Sequence, residues 1–180
     1  MLEKEIKILD INSKEIEKKL KNLWAKKTFD GVIHDIYYDF PGDKMEYNKR
    51  LFRVRKKWET HLYTIKRKRK KIKEWWEEWV KIADEWEREI TDVDSFRAVL
   101  EKYGMKKIRE KKKHRISYSL KKLEFDIDKY DGMPTLLEIE AHTIEEINKY
   151  IEKLWLKNHT TKSFGSRWLY QYYWLEYSYL

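Results

Sequence analysis

The chain has 180 residues, with 41 Lys and Arg against 32 Asp and Glu, a net charge of +9, and equal shares, 41% each, of charged and hydrophobic residues. A charged share so far above the ~25% of an ordinary domain, with apolar residues spread throughout, predicts one folded domain that puts many charges to use rather than a disordered chain. The absence of cysteine excludes disulfides and thiolate metal sites, and no apolar run approaches the ~18 residues of a membrane span. With no membrane segment and no signal peptide before the first strand, a cytoplasmic protein is expected. The excess of cations suits phosphate-bearing partners.

In chain order, a first strand is expected over about Leu2 to Asp10. A helix follows, capped by Asn12 or Ser13, with Ile16, Leu20 and Leu23 as its apolar stripe. VIHDIYYDF reads as a β-branched and aromatic strand that stops at Pro41-Gly42. RLFRVRKKW and THLYTIKRKRK pair as a hairpin, KIKEWWEEW is a turn region, and VKIADEWEREI is a strand. Thr91 and Asp92 open a second helix, with Phe96, Val99, Leu100 and Tyr103 on one side. MKKIREKKKHRISYSL and LEFDIDKY form another hairpin that turns near Lys121-Lys122. After the loop DGMPT and the strand LLEIEAH comes a third helix, striped by Ile144, Ile147, Ile151 and Leu154, and then a tyrosine-rich tail that is partly helical. The series predicts an α+β domain of about eight antiparallel strands.

The strands share one anomaly. Side chains alternate faces along a strand, so same-parity charges point the same way. Glu3, Glu5 and Lys7 form one such set; so do Arg53 with Arg55, Lys66 with Lys68, and Glu85, Glu87 with Glu89. Arg109, Lys111, Lys113 and Arg115 form another, as do Asp126 with Asp128 and Glu138 with Glu140. Ile6, Ile8, Phe52, Val54, Ile127 and Ile139 stand on the opposite faces. A solvated sheet face explains any one strand. The whole set fits a sheet that turns its apolar side outward to the helices and encloses charge. Carboxylates in such an interior can hold hard divalent cations, and Arg and Lys can hold phosphates. Both together suit a metal–polyphosphate complex.

Glu3-x-Glu5-x-Lys7 resembles the ExExK signature of the CYTH superfamily, the triphosphate tunnel metalloenzymes. The resemblance extends over nearly the whole chain. RLFRVRKK and LYTIKRK are similar to its paired basic strands, and LEFDID and DGMPTLLEIEA to its late acidic strands. It implies an α+β fold in residues 1–180: a closed eight-stranded antiparallel β-barrel, the triphosphate tunnel, with helices packed outside. It also implies Mg²⁺ or Mn²⁺ as cofactor, a triphosphate-bearing small molecule as partner, and a homodimer, as members often form. Carried over by position, Glu3, Glu5, Asp126, Glu138 and Glu140 would hold metal, with Glu85 and Glu87 as secondary acidic candidates. Lys7, Arg53, Arg55, Lys66, Lys68, Lys113 and Arg115 would grip phosphate, the side of Lys66 and Lys68 depending on register. Glu5, Lys7 and Asp126 would be the catalytic residues.

The activity expected is metal-dependent hydrolysis of a triphosphate, with inorganic tripolyphosphate first. The alternatives are a class IV adenylyl cyclase and a non-catalytic module for polyphosphate or RNA; the acidic strands disfavour nucleic acid. The histidines His34, His61, His114, His142 and His159 have no metal-ligand spacing. Lys162 and Ser163 are candidates for reaching the tunnel mouth.

Glycine is scarce, at 5, while tryptophan numbers 9. The helix ends NLWAKK, KYGMKK and KLWLKN put Trp24 and Trp155 where the middle one has Gly104. Such positions favour the left-handed backbone that glycine adopts freely. Trp75, Trp76 and Trp79 fall at an expected hairpin tip, and Trp58 and Trp168 in turn-like settings. The two counts together come near the usual glycine share of ~7%. The pattern predicts that many of these tryptophans are glycine in the native protein, encoded by UGA in a lineage that decodes it so.

Overall fold

The computed structural model describes residues 2–42, 45, 48–68, 72–73, 79–163 and 165–176, with side chains left out at 2, 3, 72, 73 and 79–82. The strands are β1 (Leu2–Ile8), β2 (Lys26–Asp39), β3 (Arg50–Lys57), β4 (Thr60–Lys68), β5 (Ile72–Lys73), β6 (Trp79–Ile90), β7 (Lys106–Leu120), β8 (Leu123–Lys129), β9 (Leu136–Ala141) and β10 (Thr161–Lys162). The helices are α1 (Ser13–Asn22), α2 (Val93–Lys102), α3 (Ile144–Lys153) and α4 (Ser166–Tyr172).

Each of the first three helices starts at a side-chain cap. Asn12 accepts from the Glu15 amide, Asp92 from that of Ser95, and Thr143 and Glu146 form a capping box. The stripe of α3 is buried as expected, and on α1 Ile16 and Leu20 are buried while Leu23, at the helix end, is half-buried. On α2 only Leu100 is buried and Phe96 half-buried, while Val99 and Tyr103 are 50% and 76% exposed. Phe96 stacks on Tyr63 and Phe52, which turns Val99 and Tyr103 to solvent.

The antiparallel strands are ordered β10-β1-β9-β8-β7-β2-β3-β4-β6-β5. This differs from the expected closed eight-stranded barrel: it is a curled sheet of ten strands. The cause lies in β1. Its one edge pairs with β9 from Lys4 to Ile8. Its other edge is divided, with β6 on Leu2–Glu5 and β10 on Lys7 and Ile8. The two ends of the sheet therefore meet along only half of β1.

The apolar core lies outside the curl in three places. Ile16 and Leu20 of α1 and Ile147 and Ile151 of α3 cover Ile6, Ile8, Phe125, Ile127 and Ile139. Leu100 and Phe96 of α2 cover Ile36, Phe52, Val54 and Ile90. Leu169 of α4 packs with Leu9, Tyr130, Met133 and Leu136. Each such Leu or Ile contributes about 1.5–3 kcal/mol, so the sheet is held to the helices by its outer face. That leaves its inner face for charge.

Among the described residues, the four helices α1 to α4 end in the same way. The amide two residues beyond the last cap reaches back five residues, from Ala25 to Leu20, Met105 to Leu100, Leu156 to Ile151 and Leu175 to Tyr170. The residue before that amide is left-handed, with φ of +61° at Trp24, +85° at Gly104, +59° at Trp155 and +57° at Trp174. Trp58, in the β3–β4 turn, also has a positive φ of +54°. Trp168 departs from the expectation: it lies within α4. Trp79 opens β6, and Trp75 and Trp76 lie outside the described residues.

Candidate active site

On the inner face, β1 and β9 bring a compact acidic group together. Their register sets Glu5 opposite Glu140 and Lys7 opposite Glu138. Carboxylate oxygens of Glu5, Glu138 and Glu140 all lie within 4.8 Å of one another. The Lys7 Nζ donates to Glu138 and, at 3.1 Å, to Glu5 Oε1. Lys66 Nζ, from β4, reaches Glu5 Oε2 at 3.3 Å and Glu85 Oε2 at 2.6 Å. That puts Lys66 on the inside of the curl and settles its register.

The carboxylates differ in character. Burial pushes Glu138 up, but Lys7, Arg115 and Lys113 hold it well below the usual carboxylate range. Burial, Glu138 and Glu5 push Glu140 well above it. Three crowded carboxylates that raise one another's hold on protons form a site short of positive charge. Their all-oxygen donor set suits Mg²⁺ or Mn²⁺.

Next to this group, β7 and β8 hold a second cluster. Arg115 spans Asp128 with Nε at 2.6 Å and Nη2 at 2.7 Å, donates to Asp126, and lies 3.5 Å from Glu138. Lys113 Nζ donates to Asp128 at 2.6 Å, and Ser117 Oγ to Asp126 at 2.6 Å. Asp128 is fully buried. Arg115 thus joins the acidic group to the cationic strand.

A third cluster lies on β2, β3, β4 and β6. Arg55 grips Asp35 with two bonds of 2.7 and 3.1 Å. Arg53 donates to Thr64 at 3.0 Å and to Glu85 at 3.3 Å, and Thr64 donates to Glu87 at 2.8 Å. Burial raises the Asp35 carboxyl, yet Arg55 and Arg53 bring it well below its ordinary range.

The sequence-derived set is therefore largely gathered. Glu5, Lys7, Arg53, Arg55, Lys66, Glu85, Glu87, Lys113, Arg115, Asp126 and Glu138 belong to one network of ion pairs and hydrogen bonds. Glu140 adjoins it through the acidic trio. Glu3 stands opposite Ala83 on β1, and its side chain lies outside the described set. Lys68 is exposed at the end of β4. Lys162 pairs with Lys7 across β1 and β10, and Ser163 is buried. Asp35 was missed, although its place one strand-step from Tyr37 in a β-branched run marks it as facing the same way. Thr64, Ser117, Tyr37 and Tyr130 were missed too. Their signal lies in the register across strands, which a single strand does not carry.

No curated protein matches the chain significantly. Among solved structures it is similar to PH1012 of Pyrococcus horikoshii OT3, with 25% identity over 87% of this chain and 92% of that one, at a TM-score of 0.66. It is similar in fold to a proposed adenylate cyclase of Vibrio parahaemolyticus (21% identity, 86% and 84% covered, TM-score 0.67). The same holds for HpAC1 of Hippeastrum, an adenylyl cyclase candidate described as having a dominant triphosphatase activity (13% identity, 98% and 97% covered, TM-score 0.63). The model of the CYTH domain matches residues 1–166, so the ionic inner face and the strands that build it belong to a member of the CYTH domain family.

Proposed function

We propose that the protein is a metal-dependent phosphoanhydride hydrolase that binds a triphosphate, inorganic tripolyphosphate first, within its curled sheet. One observation carries this reading: a trio of carboxylates beside Lys7, Lys66 and Arg115 on a single inner face. A metal–triphosphate complex brings both charges that such a face can exchange. Its cation fits Glu5, Glu138 and Glu140, and its oxygens replace carboxylates as partners of Lys7, Lys66, Arg53, Arg55, Lys113 and Arg115. When bound, Mg²⁺ or Mn²⁺ would supply Lewis-acid polarisation of a phosphoryl oxygen.

The chain's own residues position and neutralise. Arg115 and Arg55 present planar forks suited to paired phosphate oxygens. Lys7, between Glu5 and Glu138, stabilises charge on the oxygens nearest the acidic group. Asp126 accepts from Ser117 and Arg115 and would orient a water toward the terminal phosphorus. The names of the Vibrio and Hippeastrum proteins join the two activities at issue, cyclase and triphosphatase, and those activities are stated of those proteins alone.

The test is to incubate the protein with tripolyphosphate, ATP or thiamine triphosphate and Mg²⁺ or Mn²⁺, following phosphate, pyrophosphate and cyclic AMP. Phosphate release from tripolyphosphate is the expected result, and Glu5→Gln should lower it at least a hundredfold. Pyrophosphate with cyclic AMP from ATP would make the protein a cyclase instead. Full activity of Glu5→Gln would remove the acidic trio from the chemistry.

A further inference from the structure

We propose that Tyr37, Arg109, Lys111 and Tyr130 form a further anion subsite continuous with the triphosphate grip, which makes the substrate class a linear inorganic polyphosphate of at least four phosphates. The inference rests on the proposed function. Its own ground is the length of the cation row on β7 and the setting of Lys111 within it.

Arg109, Lys111, Lys113 and Arg115 share the inner face of β7 at alternate positions, about 7 Å apart and about 20 Å from end to end. A triphosphate spans roughly half of that. Lys113 and Arg115 are matched by Asp126 and Asp128 of β8. The strand β8 ends at Lys129, and β7 continues past it. There Lys111 stands opposite Asp35 and Arg109 opposite Tyr37. Asp35 is the carboxylate opposite Lys111, and Arg55 already holds both of its oxygens.

Lys111 has no ion pair or hydrogen bond among the described residues. Its Nζ lies 5.4 Å from the Tyr37 ring centre and 5.8 Å from that of Tyr130. Arg109 stacks on Tyr37 at 4.0 Å, and Lys113 lies 5.5 Å from Tyr130. With cations over these rings, a stacked nucleobase is a poorer occupant than an oxyanion. Among the described residues, the groups facing Lys111 are Asp35 and Tyr37 from β2, Arg53 and Arg55 from β3, Arg109 and Lys113 from β7, and Tyr130 after β8. Burial, opposed by Asp35 and assisted by Arg53, Arg55 and Arg109, pushes the Lys111 amine down to about 7. A phosphate at this position restores its charge.

The experiment is calorimetric titration of tripolyphosphate and tetrapolyphosphate in chelator and 0.15 M salt, where binding proceeds without turnover. Tetrapolyphosphate should bind about tenfold more tightly. Both Lys111→Met and Lys111→Gln should abolish that preference while leaving the tripolyphosphate affinity within about twofold; circular dichroism checks that each variant is folded. Equal affinities in the wild type, or a preference that survives both substitutions, would overturn the inference. If tripolyphosphate binds and is hydrolysed while the additional phosphate adds nothing, this inference alone falls; if tripolyphosphate is neither bound nor hydrolysed in the presence of Mg²⁺ or Mn²⁺, the proposed function falls with it.

Discussion

At the scale of single residues, the helix ends are the strongest local constraint in the chain. The reach-back bond of each terminus requires one residue in the left-handed region. Gly104 meets it without cost, while Trp24 and Trp155 take it at φ +61° and +59° with side chains 90% and 81% exposed. An L-residue in that region costs about 1–2 kcal/mol, and a side chain so exposed offers little packing in return. Trp24→Gly and Trp155→Gly should therefore each stabilise the protein by about 1 kcal/mol in urea unfolding. Trp168→Gly, inside α4, should destabilise it by about the same amount. The same geometry bears on the native protein: peptide mass spectrometry should find glycine at 24, 155 and 174. Tryptophan at all three would leave the bare sequence as the native one and end the decoding argument.

At the scale of elements, the register of β2 against its neighbours fixes how the inner charges are matched. Asp35 is opposite Arg55 on one side and Lys111 on the other. It is fully buried. Asp35→Asn removes the one charge that Arg55 holds with two bonds and leaves the guanidinium beside Arg53 and Lys111. Uncompensated buried charge of this kind costs about 3–5 kcal/mol, so the variant should lose at least about 3 kcal/mol in urea unfolding. Replacement at Lys68, exposed at its strand end, should change stability by less than about 0.5 kcal/mol. The contrast shows what the sequence holds and what it does not. Alternation alone placed Glu5, Lys7, Arg53, Arg55, Arg115 and Glu138 on one face, because period-two patterning is a property of each strand. Pairing is not such a property. The match of Asp35 to Arg55, the division of β1 between β6 and β10, and the rotation of α2 that exposes Val99 all depend on distant segments. For the same reason the ring of strands read from the sequence lacked β5 and β10, whose two residues each carry no period to detect.

At the scale of the whole molecule, an apolar exterior layer and an ionic interior make stability a function of pH through opposed groups. Asp35 and Glu138 have lowered values when folded, so their contribution is complete above the ordinary carboxylate range and is lost as pH falls through their folded values. Lys7 and Lys66 are raised, and their contribution persists until pH passes their folded values at the alkaline extreme. Lys111 behaves in the opposite sense: it titrates near 7 when folded and near 10.5 when unfolded. Between those values the unfolded chain binds the additional proton, so this group makes stability rise with pH. Glu140, raised by burial and by Glu138 and Glu5, acts the other way over its own range, and it does so equally in any variant that leaves it in place. The difference between wild type and Lys111→Met reports the lysine together with its smaller effect on Lys113, whose amine Lys111 helps to push down. In urea unfolding at pH 7, 8 and 9, the wild type should gain on the variant with each step. Saturating tetrapolyphosphate, which keeps Lys111 charged in the folded protein, should flatten that gain. A difference independent of pH would mean that Lys111 is solvated and ordinary, and that the cation row ends at Lys113.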